Sequence, residues 1–493
     1  MRKSGILLHI SSLPSHYGIG TYGNEAYRFV DFLEQSEQSY WQLLPLGPTS
    51  YGDSPYQTFS AFANNPYFID LDQLIAEKLL RKNEIVATFT SPRLVDYKEL
   101  YGERFIVLKK AFHRFNQKNV SYLEFIKKNY KWLNDYALFM AIKVKHDGAS
   151  WISWEKDLRQ RNPKVLHEYE IMLKEDIEFY QFLQFKSYEQ WLSLKKYAND
   201  KGIMIVGDMP IYVSYDSSDV WANPNYFDLD KNRLPIHIAG VPPDNYSSDG
   251  QLWGNPLYNW NELEKNEFEW WVDRVESSTE LFDMIRIDHF IGFQNFYSVS
   301  YGEKTAINGV WKKGPGIQLF NVIKEKLGDV NIIAEDLGVV TDEVRKLLKE
   351  TGFPGMKLLQ FAFDSKEEND YIPHLYTKNI IAYTGTHDNQ TTLTWFNKLP
   401  EKDLRYCLKY INHSGNQSKV DSLIKATLSC IADTAIIPMQ DYLHLGDEGR
   451  MNTPSTTGNN WRWRLLKSDI NNKLILKIKD MTILYGRGKS KDR

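Results

Sequence analysis

The residues best placed to do chemistry are acids that stand where short apolar runs stop. Val206-Gly207-Asp208, Arg286-Ile287-Asp288-His289, Ala334-Glu335-Asp336 and Thr386-His387-Asp388-Asn389 each close or follow a stretch of the aliphatic and β-branched residues that strands favour. Side chains alternate along a strand, so Arg286 and Asp288 share one face while Ile285 and Ile287 share the other. Carboxylates gathered beside an arginine and two histidines suit cleavage of a glycosidic bond. That reaction needs one carboxyl to protonate the leaving oxygen and another to attack or stabilise the anomeric carbon. The same acids would suit a divalent cation, but no recognisable ligand spacing accompanies them, and Arg286 would oppose a metal ion. Taken singly, each acid also has a plain structural role: Asp208 or Asp336 as the cap of a following helix, Asp388-Asn389 as a turn. Four such acids on four strand ends favour the chemical reading.

Such acids converge only if their strands lie side by side and point the same way. Eight runs fit: Ile6 to His9, Trp41 to Leu46, Ile203 to Asp208, Asp283 to Asp288, Asn331 to Asp336, Met356 to Phe361, Ile380 to Gly385 and Ala435 to Gln440. Amphipathic helices stand between several of them. Ala26, Phe29, Val30 and Leu33 recur at helical spacing after the first run. After the fifth, Thr341 can cap a helix carrying Val344, Leu347 and Leu348 that stops at Gly352. Strands alternating with helices predict an α/β fold, a closed (β/α)8 TIM barrel over residues 1–493 without a separate C-terminal β-sandwich, ahead of an open doubly wound sheet. In such a barrel the acids meet at the mouth formed by the C-terminal strand ends. The long gaps after the second and third runs require insertions. Residues 66–195 read as a helical subdomain. Residues 211–275 read as a loop-rich one, with turn formers at Ala222-Asn223-Pro224-Asn225 and Gly240-Val241-Pro242-Pro243-Asp244.

Composition narrows the function classes. A net charge of -3 argues against a nucleic-acid partner, which would call for a strongly basic face. The apolar stretch ending at His9 is too short for a signal-peptide core or a membrane span, and Cys407 and Cys430 have neither metal-ligand spacing nor the density of a disulfide scaffold. A cytoplasmic protein without a membrane partner is the expectation. The 14 Trp, 30 Tyr and 25 Phe offer flat rings, whether for a core or for sugar faces.

Several segments together resemble the amylomaltase or disproportionating-enzyme family of 4-α-glucanotransferases, relatives of the α-amylases. They are Leu13-Pro14 to Gly18-Ile19-Gly20, Trp41-Gln42-Leu43-Leu44-Pro45-Leu46-Gly47-Pro48, Gly52-Asp53-Ser54-Pro55-Tyr56-Gln57, Gly207-Asp208-Met209-Pro210-Ile211-Tyr212-Val213, Gly250-Gln251-Leu252-Trp253-Gly254-Asn255-Pro256 and Asn460-Trp461-Arg462-Trp463-Arg464. The resemblance implies transfer of α-1,4-glucan segments by a retaining double displacement, with an α-1,4-glucan hydrolase as the alternative. It implies Asp288 as nucleophile, Glu335 as general acid and base, and Asp388 as the group that steadies the distorted sugar. Arg286 would hold Asp288 ionised, and Asp208 would organise the pocket floor. His289, His387, Tyr56, Trp253 and Asn460 would bind sugar, and the loop from Pro242 to Asn255 would form a lid. Malto-oligosaccharides and glycogen- or starch-derived glucans would be the partners; no metal or organic cofactor is implied. Three positions depart from the family pattern: Ile291 stands where arginine is usual, Gln390 where an acid is common, and Ser455 where glycine is usual.

Overall fold

The computed structural model describes residues 2–85, 91–243, 247–338, 340–366 and 369–489. Its strands, in chain order, are β1 (Lys3–Leu7), β2 (Tyr40–Gln42), β3 (Met204–Pro210), β4 (His237–Val241), β5 (Gln251–Pro256), β6 (Met284–Asp288), β7 (Asn295–Ser300), β8 (Val310–Lys313), β9 (Ile332–Ala334), β10 (Gly355–Leu358), β11 (Ile380–Tyr383) and β12 (Thr434–Pro438). Eight of them pair in parallel in the order β10-β11-β12-β1-β2-β3-β6-β9. The Ala334 N–H donates to the Pro354 carbonyl at 2.9 Å, joining the two ends of the sheet into a barrel. All eight barrel strands fall on the runs read from sequence, several of them starting earlier or ending sooner.

The helices between strands follow the apolar spacing. Asn24–Gln35 buries Ala26, Phe29, Val30 and Leu33 against the barrel. Asp342–Thr351 begins with Val344 N–H donating to Thr341 Oγ1 and ends at Gly352, whose φ of +72° closes the helix in the left-handed region. Between β2 and β3 run helices that include Tyr97–Phe112, Tyr130–Lys145 and Lys174–Asp200. Among the described residues no helix is long and apolar enough to cross a membrane.

On the inner face of the barrel Tyr383 donates to Gln42 at 2.9 Å across strands, while Trp41, on the opposite face of β2, packs against Phe29 and donates its Nε1 to the Leu8 carbonyl at 2.7 Å. The β3–β6 register sets Asp208 opposite Arg286 and Pro210 opposite Asp288. Gly207, next to Asp208, lies against the Phe282 ring so closely that a Cβ there would sit 2.2 Å from Phe282 Cγ. Gly207→Ala is therefore expected to destabilise the fold by about 1–3 kcal/mol through overpacking. Denaturant unfolding measures this, and an unchanged midpoint would show that the ring moves aside freely.

One feature of the architecture differs from the sequence reading. Residues 237–241 and 251–256, read as part of a loop-rich stretch, are strands. They join β7 and β8 in an antiparallel sheet of order β5-β4-β7-β8. This sheet buries its own small cluster, Ile238, Tyr297, Val299 and Ala306, with Leu252 packed on it. The chain leaves the barrel at the end of β6 to complete the sheet, so the sheet stands beside the strand that carries Asp288.

Candidate active site

Arg286 sits at the centre of the site, in the barrel lumen. Its Nη1 lies 2.8 and 2.7 Å from the two Asp208 oxygens and 3.3 Å from Asp288 Oδ1. Asp208 is thus its main partner and Asp288 its second, whereas the sequence reading gave Arg286 chiefly to Asp288. The register explains this: Asp208 faces Arg286 directly across the ladder, while Asp288 lies two residues on along the same strand. Tyr56 completes the floor by donating to Asp208 Oδ2 at 2.8 Å.

Glu335 follows β9 and is held by backbone. His289 takes a φ of +51°, ends β6, and donates its N–H to Glu335 Oε2 at 2.6 Å. Leu337 N–H approaches Oε1 at 3.3 Å. Only 8 % of the residue is exposed. Burial, the largest influence, pushes its carboxyl up to about 8; Arg286 and the His289 N–H pull the other way and the Asp288 charge adds to the rise. Burial also raises Asp288, to about 6, against the opposing charge of Arg286. Its side chain is 28 % exposed at the cleft, so water moderates the loss of hydration there. Near neutral pH the pair therefore holds one proton on Glu335 and a negative charge on Asp288.

Asp388 lies on the loop after β11. Burial alone would raise its carboxyl, but the His387 imidazole, with Nε2 at 3.2 Å, and the Asn452 amide, donating at 2.7 Å, hold it below the ordinary carboxylate range. His387 stacks on Tyr56 with ring centroids 5.2 Å apart and an interplanar angle of 14°. His289 is kept neutral by burial, which lowers it to about 4, and Trp253 packs edge-on against it at 4.8 Å. Gln57 holds the Trp253 segment by donating to Asn255 Oδ1 at 2.9 Å and to the Trp253 carbonyl at 3.3 Å. Of the segment from Pro242 to Asn255, residues 244–246 lie outside the described residues.

Nine of the residues singled out from sequence come together: Tyr56, Asp208, Trp253, Arg286, Asp288, His289, Glu335, His387 and Asp388. Asn460 makes its hydrogen bonds within its own loop. Its Oδ1 accepts from Thr453 N–H at 3.1 Å and its Nδ2 donates to the Thr456 carbonyl at 3.1 Å, so it braces its own loop. Within that loop Ser455 has a φ of +62°, the conformation that makes glycine the easier residue there. Of the plain structural roles, the turn at Asn389 is present, whereas Asp336 ties two strands and leaves the cap of the following helix to Thr341. Asp336 accepts from Met356 N–H at 2.7 Å, tying β9 to β10, and Asn389 turns the chain by accepting from Thr386 N–H at 2.8 Å.

Sequence reading passed over Arg450, Asn452 and the ring of Trp461. Besides holding Asp388, Asn452 donates its N–H to the His387 carbonyl at 3.1 Å, and Arg450 Nε donates to the Asn452 carbonyl at 2.8 Å. Trp461, with a φ of +63°, sets its ring against both Tyr56 and His387. The accessible signal was the motif Asn460-Trp461 itself, whose tryptophan is the residue with ring contacts to Tyr56 and His387. Arg450 and Asn452 are lone polar residues in a turn-rich loop, with no period to mark them.

Comparison with known proteins was consistent at every level. A family profile described as 4-alpha-glucanotransferase matches residues 8–469. A 4-alpha-glucanotransferase of Clostridium butyricum is 51 % identical, covering 97 % of this chain and 100 % of its own. One of Thermus thermophilus is 44 % identical, covering 95 % and 96 %. Among solved structures, an amylomaltase from Streptococcus agalactiae in complex with acarbose matches with a TM-score of 0.97 at 43 % identity, over 99 % of this chain and 100 % of that one. An amylomaltase from Corynebacterium glutamicum, 18 % identical with a TM-score of 0.77, covers 99 % of this chain and 74 % of its own and shares the fold.

Proposed function

The chain belongs to the 4-alpha-glucanotransferase family, and on that premise we propose that it moves α-1,4-glucan segments from a donor malto-oligosaccharide to the 4-hydroxyl of an acceptor glucose or glucan. The donors are malto-oligosaccharides and fragments of glycogen or starch. In the first step an Asp288 oxygen attacks the anomeric carbon while Glu335 gives its proton to the departing glycosidic oxygen, leaving a β-glucosyl ester on Asp288. In the second step Glu335, now a carboxylate, takes the proton of the incoming 4-hydroxyl as that oxygen displaces Asp288. Configuration is retained overall because two inversions occur.

The observation that carries this reading is the split between two neighbouring carboxyls. Glu335 is buried and proton-holding, while Asp288 faces the cleft beside Arg286. Asp388, held anionic, is suited to grip ring hydroxyls more strongly as positive charge develops on the sugar. Neutral His289, together with His387, Tyr56 and Asp208, positions the sugar, and Trp253 covers one side of it. Asn460 contributes through the loop it braces. The segment from Pro242 to Asn255, of which residues 244–246 lie outside the described residues, is suited to serve as a lid within the insertion of residues 211–275, which follows the helical insertion of residues 66–195 in the chain. Closing it would keep water from the ester and leave a sugar hydroxyl as the effective acceptor. A cytoplasmic location fits the two buried free thiols, Cys407 and Cys430.

Incubation with maltotriose tests the reading. Release of glucose together with a ladder of longer oligosaccharides is the expected result, resolved by chain length over time. Shortening without any longer product would replace transfer by hydrolysis.

A further inference from the structure

Asp441 is a buried acid that the proposed chemistry does not use. It follows β12 at the C-terminal rim of the barrel and is 2 % exposed. Both of its oxygens are occupied. Oδ2 accepts from Thr384 Oγ1 at 2.6 Å and from Thr392 Oγ1 at 2.7 Å, and Oδ1 accepts from Thr392 N–H at 2.8 Å. The two threonines stand on either side of the loop that carries His387 and Asp388. Thr384 directly follows β11, and Thr392 opens the helix Thr392–Lys398. One side chain therefore fixes both ends of the loop to the short helix Met439–Tyr442 that follows β12. Further bonds hold the span between them: Gln360 Nε2 donates to the Gln390 carbonyl at 3.0 Å, and Thr391 Oγ1 donates to the Gly446 carbonyl at 3.2 Å.

We propose that Asp441 is a positioning residue for this reaction, acting through Asp388 by pinning both ends of its loop. The choice of an acid follows from donor arithmetic. An ionised carboxylate accepts all three donors on two oxygens, whereas an asparagine that kept its oxygen on the Thr392 N–H would turn its amide toward two hydroxyls, whose own hydrogens must then find other acceptors in a buried site where Gln360 Nε2 already approaches Thr392 Oγ1. Asp388 sits on a loop and its side chain is 41 % exposed, so the backbone of that loop governs where its carboxylate stands. Its distance from the sugar is set by the loop ends, and a displacement of about 1 Å at such a group costs on the order of 10²-fold in rate. The inference rests on the transition-state role given to Asp388 above.

The test compares Asp441→Asn, Thr392→Val and Thr392→Ser with the native chain, each confirmed as folded by its thermal melt. Asp441→Asn is expected to lower kcat on maltotriose about tenfold to a hundredfold with little change in KM. Affinity for acarbose, used as a mimic of the distorted sugar, should weaken in step with kcat. Thr392→Val should reproduce part of the loss and Thr392→Ser should restore it, because serine keeps the hydroxyl. A folded Asp441→Asn protein with native kcat overturns the proposal, as does a fall in kcat with native acarbose affinity. If Asp441→Asn does not fold, the two Thr392 variants decide by the same criteria. Asp388→Asn runs alongside: native transfer there sinks the role of Asp388 itself. Loss there with native behaviour in every Asp441 and Thr392 variant sinks only the positioning.

Discussion

Asp288→Asn is expected to leave a folded protein whose transfer on maltotriose falls by about 10⁴-fold or more, the scale lost when the nucleophile of a covalent mechanism is removed. The substitution keeps the shape of the side chain and removes its charge, and with it the ability to form the ester. Folding should survive it for a reason visible in the site. Arg286 makes its two shorter contacts with Asp208, at 2.8 and 2.7 Å, and its longer one, at 3.3 Å, with Asp288. Neutralising Asp288 therefore leaves no buried guanidinium without a carboxylate, which would be strongly destabilising. The measurement is the rate of glucose release together with the appearance of longer oligosaccharides, with a thermal melt as the folding control. Residual transfer within tenfold of native in a folded variant would remove Asp288 from the role of nucleophile. Loss of both activity and fold would instead mean that Arg286 depends on Asp288 more than its contacts imply.

How much of this was legible in the sequence follows from what each signal encodes. Barrel strands declared themselves because each pairs an apolar run with a polar end and a helix behind it, a local pattern within one βα unit. The helix after Thr341 could be read almost residue by residue, since cap, apolar spacing and stop glycine are all local. The antiparallel sheet escaped for the opposite reason. His237–Val241 and Gln251–Pro256 contain Gly240, Gly254 and Pro256, which look like turns, and what makes them strands is the pairing of His237–Val241 with Asn295–Ser300, far along the chain, which lets Gln251–Pro256 add to its other edge. The alternation of Tyr297 and Val299 with Ser298 and Ser300 was present, but no helix follows it, so a search built on βα units passes it by. At the site, the acids were found because strand ends converge by topology. Their supports were not, because Asn452 and Asp441 reach the Asp388 loop from other strands or loops, and that adjacency exists only in the folded chain. Arg286 shows the limit within a single strand: its neighbour in sequence is Asp288, but its nearer partner, Asp208, comes from the adjacent strand.

Glu335→Gln should separate the two halves of the reaction, and the native pH profile should show why. With the free enzyme, kcat/KM is expected to rise as pH passes about 6, where Asp288 loses its proton and becomes a nucleophile. It should fall as pH passes about 8, where Glu335 loses the proton it must donate. The sign of each limb is set by the form that works: anionic Asp288 is absent on the acid side, and neutral Glu335 is absent on the alkaline side. An amide at position 335 cannot supply the proton at any pH, so transfer from maltotriose should drop by about 10²–10⁴-fold, the usual contribution of general acid catalysis. A donor whose leaving group departs without protonation, such as α-maltosyl fluoride, should escape that penalty in the first step, and its alkaline limb should vanish. The second step still lacks its base, because a carboxylate at 335 is what accepts the proton of the incoming 4-hydroxyl. The glycosyl ester on Asp288 should then accumulate, visible as added mass on the intact protein and as a burst of fluoride followed by slow turnover. Fluoride release as slow as maltotriose cleavage, or an alkaline limb that persists with the fluoride, would assign the proton to another group. Burial is what makes this division possible: Glu335, enclosed, keeps its proton to a higher pH than Asp288, which meets water at the cleft, even though the His289 N–H favours the Glu335 anion.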